Sequence, residues 1–450
     1  MRTIFNKSAV ALLNNDEDQA AAAAAAPAAA DADNANSLET DLVDVVDSEA
    51  EGTENETALD EAVDTKEALE QYVAALEGYM AEGGINKQAA QFLKIGAGFI
   101  GNRQNFRAAD RLTIATEAFD GSSSKLRSNQ AALEGLGEQL AKVWESIKAA
   151  IKRAIDWLKE HYNKIFGSAE KLQKRAKAIT EKANGVTGTA KEAKFENERL
   201  VKALHVNGSV PPALSSALEV AHKAGEDIFN QVAAYGTTAG QAILDAMSKT
   251  DGKADDIKAP AMSAPTMKAL SAGDAKAAGF DDAPEGMSLY RSAQELPGGK
   301  AVLGRYPATA LTGKAAAEGL AKTSAAIVAF NNKAPAISKT EVQTLASSEI
   351  GKVASVVEAI AGSVIAFRAK SDKANEIKTK ILAAADKLSK TSVKEEDTEK
   401  KEYQTVMQKL ASASVNVVDK PAPQMAQYLL VTGKAALDYC EESLKQYGGK

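Results

Sequence analysis

Three histidines and one cysteine are the residues of this 450-residue chain best suited to proton transfer or nucleophilic attack. His161, His205 and His222 are too few and too scattered for a histidine metal cluster. Cys440 alone can build neither a disulfide framework nor a cysteine metal site. No HExxH pair, nucleophile elbow or glycine-rich dinucleotide fingerprint accompanies them. Gly313-Lys314 and Gly433-Lys434 have the shape of the end of a phosphate loop. Alanine follows each pair where Ser or Thr would be needed, and neither has a glycine five positions before its own, so both read as residues flanking ordinary helices. His161 reads as a half-exposed helical histidine, and Cys440 as a small buried hydrophobe. The carboxylates read as solvated helix faces. No catalytic residue, metal site or cofactor is expected, and the chain reads as a non-enzyme.

The elements that carry these residues are helices. Alanine is abundant, prolines are few and aromatics make up only 5% of the chain, which favours helix over a sandwich or barrel. The expected fold class is mainly α, in five stretches. Residues 1–65 hold an alanine run and then a crowd of Asp and Glu, with too little apolar surface to offset the entropy of ordering, and read as a disordered acidic leader. Residues 66–117 read as a helical module with Leu69, Tyr72, Val73, Leu76 and Met80 at helical spacing. Residues 118–248 read as an amphipathic, basic helical region. Residues 249–310 are richer in Pro and Gly, and SLYRSAQELPGGKAVLGRY there predicts a small β-hairpin turning at Pro297-Gly298-Gly299. Residues 311–450 read as a helical bundle. One face comprises Val342, Leu345, Val353, Val357, Ile360, Val364 and Phe367, a second Ile377, Ile381 and Leu388, and the last helix offers Met425, Leu429, Leu437 and Leu444.

The strongest helical signal runs from Leu133 to Ile165, with a possible break at Gly167 and a more polar helical stretch beyond it. Trp144 and Trp157, the only tryptophans, flank its apolar stripe, and Lys148, Lys152, Arg153, Lys159 and Lys164 cover the opposite face. That face could meet DNA without reading its sequence, or, less favourably, a membrane surface. No apolar run reaches the roughly 18 residues of a membrane span, since the best, Val353 to Phe367, is interrupted by Glu358. Asp16 to Asp18 follow the short apolar N-terminus too soon for a signal peptide.

Charge divides the chain more sharply than hydropathy does. The net charge of −7 conceals 22 Asp and Glu against 8 Lys and Arg through Glu117, and 39 against 46 after it. An acidic segment of net −14 is therefore joined to a remainder of net +7. An acidic leader can shield a basic body from nucleic acid, and its removal would reverse the sign of the molecule.

At that junction stand Ile114, Ala115, Thr116 and Glu117, followed by Ala118. This resembles the Ile/Leu–small–any–Glu signal cut by prohead proteases of large contractile-tailed phages. Among all the glutamates, only Glu117 has Ile or Leu three positions earlier. The module KEALEQYVAALEGYMAEGGINKQAAQFLKIGAGFIG, the Trp-containing helix AALEGLGEQLAKVWESIKAAIKRAIDWLKEHYNKIFG and the LPGGKAV element together resemble internal head proteins of those phages. The resemblance implies a precursor that enters the prohead core with core or capsid proteins as partners. The prohead protease would cut it, and its mature part would stay in the capsid with packaged double-stranded DNA. Two other readings compete: a membrane-active secreted or ejected amphipathic protein, and a cytoplasmic helical scaffold.

Overall fold

Apolar residues recurring every three or four positions become helices, and the longest such run forms a single helix of 43 residues, Ser347–Ser389. The computed structural model describes residues 163–447 apart from 236–237, 239, 248–252, 254–257, 260–265, 282, 284–285, 308, 332–339, 390–398, 401, 408 and 411–420. The acidic leader, the helical module and the segment from Leu133 to Tyr162 lie outside the described residues.

In chain order the elements are α1 (163–184), β1 (Lys194–Glu196), α2 (Glu198–Leu204), α3 (Leu214–Ala234), α4 (Gly240–Met247), β2 (Lys258–Ala259), β3 (Met267–Ala269) and α5 (Ala272–Ala277). Then follow β4 (Met287–Ser292), β5 (Lys300–Pro307), β6 (Leu311–Thr312), α6 (Gly313–Lys322), β7 (Ser324–Ala329), β8 (Glu341–Gln343), α7 (Ser347–Ser389) and α8 (Pro421–Lys445). The fold is mainly helical with small antiparallel strands. Side-chain caps set two of the shorter helices. Asn197 accepts from the Leu200 N–H at the start of α2, and Ser271 accepts from the Asp274 N–H at the start of α5.

The core lies where α7 packs against α3, α4 and α8. Val353, Val357, Ile360, Val364 and Phe367 of α7 are buried, as expected, and so are Met425, Leu429 and Leu437 of α8. Phe229 of α3 stacks on Phe367 with ring centroids 4.6 Å apart. Ile377 and Ile381, read as a second face, belong to the same helix and are also buried. The buried face drifts along α7 because its packing partners change. By length and composition Ser347–Ala385 could cross a membrane, with a mean hydropathy of 1.7 in its best window. The sequence reading, which broke that run at Glu358, did not expect this; in this fold the apolar positions of the helix form the core.

The predicted hairpin is present as β4 and β5, with Arg291 opposite Leu303 and Met287 opposite Pro307. Leu296 and Lys300 pair across the turn, where Gly298 and Gly299 take positive φ angles of 74° and 69°. The hairpin is the centre of a four-stranded antiparallel sheet of order β3-β4-β5-β7. Tyr306 of β5 donates to Gln231 of α3 at 2.9 Å, and Tyr428 of α8 donates to the Pro297 carbonyl at 2.9 Å, so both ends of the hairpin are tied to the helices. Within 311–450, where only helix was expected, β6, β7 and β8 are strands. Val342 lies on β8, paired with Phe195, and Leu345 follows it in the connection to α7. Gly167 does not break a helix: it lies inside α1.

Candidate functional site

The predicted cleavage residues Ile114, Ala115, Thr116, Glu117 and Ala118 lie outside the described residues. So do Trp144, Lys148, Lys152, Arg153, Trp157 and Lys159. Of the contact face, Lys164 alone is described, half-buried in the first turn of α1. That turn is fixed from the α7 side: the Arg368 guanidinium stands 5.5 Å from the Phe166 ring, and Phe166 and Ile165 are buried.

α1 has six cations, Lys164, Lys171, Lys174, Arg175, Lys177 and Lys182, against two acids, Glu170 and Glu181. Arg175 and Lys177 turn toward neighbouring helices. Arg175 donates to Asp438 at 2.7 Å and, in a fork, to both oxygens of Glu441 at 3.2 and 2.8 Å. Lys177 stands 3.6 Å from Glu358 on α7. Burial opposes the charge on Arg175, but the two carboxylates outweigh it, and its pKa lies above the usual value. Lys434, one turn before Asp438, completes the cluster at 3.2 Å. Gly433 beside it brings α8 close to Leu172 and Val357, where an added Cβ would meet Leu172 Cδ2 at 3.0 Å. Gly313-Lys314 opens α6, where Gly313 takes a φ of 58°. Both Gly-Lys pairs therefore serve helix packing and helix entry.

His222 has partners on its own helix and on α7. Its Nε2 lies 2.7 Å from Ser363 Oγ, and Glu226 Oε1 lies 3.7 Å from the same nitrogen and 3.4 Å from Ser363 Oγ. A serine, a histidine and a carboxylate thus meet, but a relay needs the acid on Nδ1 and the serine on Nε2. Here both crowd one nitrogen, so the group can brace α3 against α7 and cannot pass a proton along. Desolvation lowers the His222 pKa despite Glu226 and Glu219.

His205 follows α2, with Nδ1 lying 3.1 Å from the Val201 and Lys202 carbonyls. Carbonyls only accept, so Nδ1 carries a proton and donates it. An added Cβ on Gly299 would meet Nε2 at 2.7 Å, so the ring is wedged under the hairpin turn. Cys440 is fully buried and its thiol pKa is pushed up, first by desolvation. It is an inert core residue. Among the described residues no group of three or more His, Cys, Asp and Glu could hold a metal ion. Two open clefts stand out among the described residues. One, of about 460 Å³, lies between β8 and the Pro211–Pro212 loop, and the other, of about 480 Å³, lies between α3 and the loop after β4.

Sequence reasoning missed the seam formed by Arg175, Asp438 and Glu441, and the Ser363 partner of His222. The excess of cations over acids in α1 was a visible signal for the first. Nothing local marks Ser363, which lies 141 residues from His222.

A family model for phiKZ-like phage internal head proteins matches residues 16–442. No curated protein and no solved structure matches the chain.

Proposed function

The chain belongs to the family of phiKZ-like phage internal head proteins, and from that premise we propose that it is made as a precursor in the host cytoplasm and matured inside the prohead. Family membership puts the protein inside the phage head. The prohead protease cuts between Glu117 and Ala118, after the N-terminal part has brought the precursor among core or capsid proteins. The product stays with the packaged DNA and has no catalytic activity.

The observation that carries this reading is what a cut at the one strict match to the protease signal would separate. It would divide the chain into a segment of net −14, whose acids are concentrated before residue 83, and a remainder of net +7. Before packaging, the acidic part keeps the precursor compatible with a DNA-free core. Afterwards a basic product resides among phosphates by releasing their condensed counterions, without reading sequence. The N-terminal sequence of the protein purified from virions tests the cut. A start at Ala118 is expected, and an intact Met1 start in mature particles overturns it.

A further inference from the structure

The four-stranded sheet places three cations on one face. In an antiparallel pair, directly opposite residues share a face. Lys268 of β3 stands opposite Arg291 of β4. Arg291 is opposite Leu303 of β5, and Arg305, two residues further along β5, is on the same face. Adjacent strands lie about 4.8 Å apart, and such a diagonal spans about 7–8 Å. Like charges directly opposite each other destabilise a sheet, so neutralisation would be expected. The side chains of Lys268 and Arg305, exposed and half-buried respectively, have no hydrogen-bond or ion-pair partner among the described residues.

Arg291 is held in place without being neutralised. Its guanidinium lies 4.0 Å from the centroid of the Phe330 ring and donates to the Phe330 carbonyl at 2.8 Å and to Asn331 Oδ1 at 3.3 Å. Asp274 is the acid whose field reaches both Lys268 and Arg291, but it is exposed and takes a hydrogen bond from the Ser271 hydroxyl. On the same face Leu303, Ala326 and Val328 are half-buried, and Leu289, directly opposite Arg305, is buried. A low-polarity floor strengthens the pull on an anion.

We propose that this sheet face, through Lys268, Arg291 and Arg305, holds phosphates of the packaged DNA backbone. The proposal rests on the reading of the protein as a DNA companion and assigns that contact to a place outside the Trp and Lys helix. A rigid strand platform suits backbone contact, since charged groups at fixed spacing meet regularly repeated phosphates without touching base edges.

The test uses the mature protein purified from virions of parent and variant phage, since the acidic leader of the precursor would itself oppose binding, and random-sequence duplex DNA. Replacing Lys268 and Arg305 together by Gln should lower the slope of log affinity against log salt by about two, at about 0.9 per lost phosphate contact. Replacing Lys322 and Lys352, exposed on α6 and α7, should leave the slope as it is. Duplex should also slow acetylation of Lys268 but not of Lys322. An unchanged slope in the first variant, or an equal fall in the control, overturns the assignment while leaving DNA residence standing. Mature parent protein that does not bind duplex overturns both. Protection of Lys268 by inorganic phosphate at matched phosphate concentration would make this a small-anion site and overturn the duplex assignment.

Discussion

Arg175 of α1 and Asp438 of α8 meet at 2.7 Å, although 263 residues separate them, and Glu441 closes on the same guanidinium from the next turn. The arginine is largely buried and its carboxylates are partly exposed, so the pair lies between a surface bridge and a buried one. Arg175→Ala should lower stability to urea unfolding by about 1–3 kcal/mol. Arg175→Lys should restore less than half of that, because a point charge cannot span two carboxylates as a planar fork does. Full recovery by lysine would show that charge alone matters there.

Two glycines should respond with opposite sign. Gly433→Ala places a methyl 3.0 Å from Leu172 Cδ2 and 3.2 Å from Val357 Cγ1, and overpacking of this kind costs about 1–3 kcal/mol. Gly167 lies inside α1 with nothing within 4 Å of an added Cβ. Gly167→Ala should stabilise by about 0.5–1 kcal/mol, through reduced unfolded-state freedom. Thermal melts of the two variants beside the parent read both signs in one experiment.

The His222 brace predicts a pH dependence. Its folded pKa is lowered below the ordinary value of 6.5, so the unfolded chain takes up the proton first. The stability it contributes is therefore fully present above pH 6.5 and is lost as pH falls through the folded pKa. His222→Gln removes that titration but keeps a donor near Ser363. The stability gap between parent and variant should narrow from pH 7 to pH 5. A constant gap would mean that the ring does not titrate differently on folding.

Cys440 should be silent to alkylation in the folded protein. It is fully buried and its thiolate is disfavoured. Iodoacetamide should label it only after denaturant exposes α8. Rapid labelling in native buffer would show that α8 opens locally.

Much of the helical body was legible in the sequence because its signal is local. The spacing of Val353, Val357, Ile360 and Val364 places them on the buried face of α7 whatever the rest of the chain does. The hairpin was legible for the same reason: two alternating runs flank Pro297-Gly298-Gly299. The strand β7 was not. Ser324–Ala329 is short and rich in alanine, and what makes it a strand is pairing with β5, with Ala325 opposite Gly304. A run that short fits either period. Val342 likewise fits a helical face by spacing but belongs to β8, since its strand exists only through β1. The seams at Arg175 and His222 depend on residues far away in sequence, so no window reveals them.

The clasp between α1 and α8 also orders events during synthesis. Arg175 leaves the ribosome long before the carboxylates it needs, and until then Leu172 has no α8 surface to cover it. The α8 side of the seat of α1 therefore forms only after synthesis has passed Glu441, and a nascent chain stalled before α8 would leave that side of α1 open to chaperones or to neighbouring copies.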